Sequence, residues 1–137
     1  MNLQEIATEA GISIDEVRER WLTLRVAKWK ADPRQFFREA IRIRTKSGDL
    51  EPLVLNQAQE ILHTAAEDQL NKDNWVRIAG LKGRRQGFST YVAARGYWRA
   101  TLWDRQRIYI LSHEMASSNV LFGMTALMQE KHPFPPQ

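Results

Sequence analysis

The stretch from Trp75 to Thr90, WVRIAGLKGRRQGFST, restricts this chain more than any other part of it. A short apolar run, Val76, Ile78 and Leu81, reads as a buried strand, and Thr90 to Trp103 reads as a helix opened by hydroxyl residues. Between them lies a basic loop with Gly83 and Gly87. Strand, glycine loop and helix follow in the order that brings backbone N–H groups against the phosphates of a nucleoside triphosphate. Such a loop also needs a flexible cation for the β and γ oxygens and a hydroxyl for Mg²⁺. Lys82, Arg84 and Arg85 supply the cations, and Ser89 or Thr90 the hydroxyl. The usual spacing GxxxxGK[ST] is not met, because Phe88 stands in the lysine position and Lys82 has moved to the front of the loop. A long, rotatable ammonium entering from there can reach the same oxygens.

Charge follows the same pattern. Between residues 76 and 107, Arg77, Lys82, Arg84, Arg85, Arg95, Arg99, Arg105 and Arg107 are opposed only by Asp104, although the whole chain carries a net charge of just +4. A local excess of this kind suits polyanions, either nucleotide phosphates or a DNA backbone. With no cysteine, disulfides, thiol nucleophiles and cysteine-ligated metals are excluded. His63, His113 and His132 are too dispersed to form a metal site. At 137 residues the expected organisation is one domain with a small appendage, residues 33–137 and 1–32. There is no long apolar run and no N-terminal signal pattern, so no membrane association is expected and the cytoplasm is the default location.

Residues 3–21 have the spacing of a helical hairpin, with Gly11 at the turn, Ser13 as N-cap and Glu16 completing a capping box. Asp15 and Glu16 at the start of the second helix repel phosphate, so the hairpin is read either as a protein-docking unit or as a DNA-reading one. Trp21 to Lys30 continues as helix and Pro33 breaks it; Gln35 to Ile43 is the next helix, Thr45 to Asp49 a turn, and Gln57 to Leu70 another helix. Trp21, Leu22, Val26, Trp29, Phe36 and Phe37 are expected to pack. Ile108 to Leu111 reads as a second strand, parallel to the first, with Ala93, Ala94 and Gly96 letting the intervening helix lie close. Glu114 to Lys131 is a final helix, ended by Pro133, Pro135 and Pro136.

Three segments, LVLNQAQEIL from Leu53, LKGRRQGFST from Leu81 and IYILSHEMASSNVLF from Ile108, resemble the beginning of the ATPase domain of a tailed-bacteriophage terminase large subunit. The resemblance runs from about Phe36 onward. It implies an α/β fold, part of a P-loop NTPase three-layer sandwich of the RecA/ASCE kind with parallel strands, preceded by the helical hairpin. It also implies ATP and Mg²⁺ as cofactors and double-stranded DNA, a terminase small subunit and a portal as partners, in the host-cell cytoplasm. Lys82 would be the displaced loop lysine, Gly83, Gly87 and Phe88 part of the loop, and Ser89 or Thr90 the Mg²⁺ ligand. One of Arg84 and Arg85 would act on the γ-phosphate, and Gln59, with Gln57 as the substitute, would hydrogen-bond the adenine edge.

That superfamily also uses an apolar strand ending in Asp-Glu, and the terminase a nuclease with clustered carboxylates. No segment here qualifies, so the resemblance reaches only the first part of the family's ATPase, truncated before Walker B. Two strands alone leave sheet edges open, from which instability or homo-oligomerisation follows. The alternative reading is a non-enzymatic DNA- or protein-binding helical module, or a prophage remnant, with a basic patch.

Overall fold

The computed structural model describes residues 2–133. Its local architecture follows from helix-end chemistry. Asn2 caps α1 (Leu3–Ala10), Gly11 closes it at φ +66°, and the Ser13 side chain accepts from the Glu16 amide to start α2 (Ile14–Ala31). Asp32 then ends α2 and caps α3 (Pro33–Ala40), whose first residue is the proline that breaks the run. Past Ala40 the chain becomes extended. Residues Arg42–Arg44 (β1) pair antiparallel with Leu50–Pro52 (β2), Ile43 opposite Glu51, around a turn closed by Gly48 at φ +95°. Asn56 and Gln59 form a reciprocal capping box at the head of α4 (Gln57–Asp73). Helices α5 (Phe88–Leu102) and α6 (Met115–Glu130) complete the chain. Pro133 follows α6 closely; Pro135 and Pro136 lie outside the described residues.

The short helix α3 sits at the centre. Phe36 and Phe37 are adjacent and both fully buried, which requires apolar partners on two flanks. Phe36 meets Trp29 of α2 edge-on at 5.3 Å between ring centroids, and Phe37 meets Tyr91 of α5 at 6.1 Å. Ile41, Leu53, Ala93, Ala94, Trp98 and Met128 fill the remainder of the core. Polar contacts orient these helices. Glu39 of α3 accepts from the Trp29 indole at 2.8 Å and from Gln35 at 2.9 Å, and pairs with Arg25 at 3.1 Å. Burial works against ionisation of Glu39, but the hydrogen bonds from Gln35 and Trp29 and the charge of Arg25 outweigh it and hold the carboxyl below its usual range. Arg34 grips Glu60 of α4 with a two-pronged pair at 2.8–3.2 Å; both side chains are partly exposed, so the pair contributes only about 0–1 kcal/mol.

The expected three-layer parallel sandwich is not formed. Six helices and one two-stranded antiparallel sheet are present among the described residues. The two runs read as parallel strands, 76–81 and 108–111, form no strand and belong to no ladder, and Val76, Ile78, Leu81, Ile108 and Leu111 are exposed. The first run serves as a connection between helices. Helices α4 and α5 lie parallel, so the connection must travel back along α4, which at 17 residues is roughly 25 Å long. An extended chain covers that span in about eight residues. Apolar, β-branched composition favours a strand, whereas a ladder also needs a neighbouring strand within about 5 Å. The true sheet falls at Arg42–Arg44, where the helix had been expected to run to Ile43.

Gly96 of α5 does admit close packing, but against the Ile108 side chain rather than a sheet: a Cβ there would lie 3.1 Å from Ile108 Cγ2. Among the described residues no helix is long and apolar enough to cross a membrane.

The Trp98 indole donates a buried 2.7 Å bond to the Trp29 carbonyl, joining α5 to the last turn of α2. Trp98→Phe orphans that carbonyl and leaves a void, so it is expected to cost about 1–3 kcal/mol. Urea unfolding should show a lower midpoint with an unchanged slope; an unchanged midpoint would mean that α2 is not fastened to the core in this way.

Candidate phosphate-binding loop

Residues 82–90 form an exposed loop running into the start of α5. Gly87 is the N-cap, at φ +78°, and it contributes no side-chain bond to the first-turn amides. The N–H groups of Phe88, Ser89 and Thr90 therefore open toward the loop at the positive end of a 15-residue helix. Lys82 reaches over this helix start, its Nζ 5.9 Å from the centroid of the Phe88 ring. Arg84 and Arg85 are exposed, and none of the three cations has an acidic partner among the described residues. Arg85 adopts φ +60°, a conformation that costs a non-glycine residue about 1–2 kcal/mol.

The two glycines differ in their reasons for being glycine. Gly83 has no positive φ, and a Cβ there would meet only the flexible Gln86 side chain at 3.1 Å. Gly87 needs both its left-handed backbone and the absence of a side chain, since a Cβ would fall 2.6 Å from Gln59 Nε2 and 3.2 Å from Asn56 Nδ2. Gln59 is buried on α4. Its Oε1 accepts from the Asn56 amide at 2.9 Å and its Nε2 donates to the Gly87 carbonyl at 2.8 Å. Asn56 Nδ2 donates to the Gln86 carbonyl at 3.3 Å. Asn56 is thus a loop-holding residue that the sequence reading passed over; the signal was there in the Asn-x-x-Gln spacing of a capping box. Gln57 is exposed on the far side of this contact.

The hydroxyl alternatives separate. Ser89 is exposed at the helix start, whereas Thr90 is half-buried and lines a groove with Arg42, Arg44 and Met124. Both arginines of that groove are engaged, Arg42 with the carbonyls of Arg38, Glu39 and Ile41 and Arg44 with that of Gly48. As a donor set, the loop fits phosphate well through amides and cations. No group of three or more His, Asp or Glu side chains gathers among the described residues, so Mg²⁺ would be held here by a hydroxyl together with phosphate oxygens of a nucleotide.

Below the loop, a buried polar chain continues from α4 to α5. His63 Nδ1 lies 3.0 Å from the Tyr91 hydroxyl, which also accepts from Arg95 at 3.2 Å; Arg95 in turn pairs with Glu67 at 2.6 Å. Arg95 can only donate to the tyrosine oxygen, the direction of the His63–Tyr91 bond follows the imidazole tautomer, and His63 Nε2 is buried without a partner. Burial pushes the His63 pKa down, helped by Arg34 and Arg95 and opposed by Glu67 and Glu60. Burial likewise raises the Tyr91 pKa, with Arg95 opposing, so the hydroxyl stays protonated at neutral pH.

The unfolded chain takes up a proton on His63 near pH 6.5 and the folded chain only lower, so below about pH 6.5 the unfolded state binds more protons and stability is lost as the pH is lowered. His63→Leu should flatten this part of the stability profile in urea titrations between about pH 6.5 and 5. An identical pH slope in wild type and variant would show that His63 is not held neutral. Comparison with known protein families, with curated proteins and with solved structures finds no match to this chain.

Proposed function

We propose that Lys82–Thr90 binds the triphosphate of ATP and that the chain is the ATP-binding portion of a phage terminase large subunit, the motor that couples ATP hydrolysis to packaging double-stranded DNA into procapsids. One observation carries the binding proposal: an uncapped helix start faces a loop whose three cations have no acidic partner among the described residues, with the Lys82 ammonium beside Phe88, the first residue of that helix. Free amides with a lysine ammonium beside them, in a loop carrying two further exposed arginines, favour a multiply charged anion. The motor reading rests on the resemblance of the three segments from Leu53, Leu81 and Ile108. In it, Lys82 would contact the β and γ oxygens, and Arg84 or Arg85 would stabilise charge on the γ-phosphate. Ser89, solvent-facing at the helix start, is the better placed hydroxyl for Mg²⁺.

The second reading, a nucleic-acid-binding helical module, is favoured by the predominantly helical fold and by the exposure of Arg84, Arg85, Arg105 and Arg107. One variant separates the two. Calorimetric titration with a non-hydrolysable ATP analogue and Mg²⁺ should give saturable binding, weakened roughly ten- to hundredfold by Lys82→Ala, with binding to duplex DNA unaffected. A folded wild type that binds no nucleotide, while Lys82→Ala lowers DNA affinity slightly with a smaller salt slope, would sink the ATP reading in favour of the module.

A further inference from the structure

Three contacts join α4 to α5 at one constant sequence offset. Gln59 donates to the Gly87 carbonyl, His63 meets the Tyr91 hydroxyl, and Arg95 pairs with Glu67, each pair 28 residues apart. On both helices the partners step by four residues, so each helix presents one stripe and the two run parallel in register. The top rung is unlike the others. Gln59 touches backbone, at the residue where the loop becomes helix, and the Gly87 carbonyl it holds also accepts from the Tyr91 amide at 3.0 Å. Closeness is enforced by Gly87, because any side chain there would collide with the Gln59 amide.

We infer that Gln59 is a positioning residue for the phosphate loop, acting through the Gly87 carbonyl and not by contact with a base. The inference rests on the loop being a triphosphate site. Gln59 uses its oxygen for the Asn56 amide and one amide proton for Gly87, and it is buried; its polar ends are committed to fixing where α5 starts. Holding that carbonyl orients the amides of Phe88, Ser89 and Thr90 and keeps α4 and the loop moving as one body. The identity of the residue follows. Glutamate at this position would serve the capping box equally well but would set a carboxylate oxygen against a carbonyl oxygen. Only the amide does both.

Two variants of the full chain test this. Gln59→Met is neutral and of similar length, and it removes the tether without adding charge beside phosphate. Titrated with inorganic tripolyphosphate, ATP and GTP in the presence of Mg²⁺, it should bind all three weaker by one common factor, on the order of tenfold, with the ATP-to-GTP ratio of the wild type preserved. Unchanged tripolyphosphate affinity with a collapsed ATP-to-GTP ratio would assign Gln59 to the base and overturn the inference, as would unchanged binding of all three.

Gln59→Glu keeps the capping box but turns a buried carboxylate toward the Gly87 carbonyl, so its thermal midpoint should fall and exchange of the Tyr91 amide should accelerate on the order of tenfold more than that of amides in the middle of α5. Unaltered exchange at Tyr91 overturns the tether. Should the wild type bind none of the three phosphates, the triphosphate reading falls, and the exchange measurement still decides whether Gln59 fixes the start of α5.

Discussion

The parallel docking of α4 on the first two turns of α5 is the constraint on which the rest of the molecule depends. It is specified by polar groups in register, Gln59 with Gly87, His63 with Tyr91 and Glu67 with Arg95. Each such bond contributes only about 1 kcal/mol net, but a slip of either helix by one turn would bury several unpaired polar groups at once. Two consequences follow. The connection between the helices must run back along α4, and the start of α5 is presented at the surface with its amides free.

Apolar burial supplies the magnitude that the polar contacts direct. Phe36 and Phe37 turn α3 into a wedge between α2 on one side and α4 with α5 on the other, through Trp29, Tyr91 and His63. Burying each aromatic ring stabilises the fold by about 1.5–3 kcal/mol. The same wedge ties the basic loop to the aromatic core: Tyr91, four residues past Gly87, packs on Phe37 while its hydroxyl carries the middle rung of the ladder.

The basic loop was legible from residue order alone, because glycines, cations and hydroxyls at that spacing need no tertiary information to be noticed. Their division of labour was not. Ser89 and Thr90 are neighbours in sequence, yet about 100° of helix rotation separates them, and only packing decides that Thr90 turns toward Arg42 and Met124 while Ser89 faces solvent. Gln59 was singled out for an adenine edge; in the folded chain its Nε2 donates to a backbone carbonyl 28 residues away. No reading of LNQAQ by itself contains Gly87.

What the sequence by itself determined is the set of features whose physics closes within a few residues. Gly11 at a left-handed turn, Ser13 capping α2, Asp32 and Pro33 at the α2–α3 break, and the turn around Gly48 all rest on hydrogen bonds spanning two to five positions. Residues 76–81 and 108–111 were read as strands from apolar and β-branched composition, and neither forms one. Whether those runs pair was left to the tertiary structure, and the expected parallel sheet failed there, while Arg42 and Ile43, expected as the end of a helix, pair with Pro52 and Glu51. A helix satisfies its own backbone, whereas a strand is defined by groups on another segment, and that dependence on a remote partner is what local composition cannot encode.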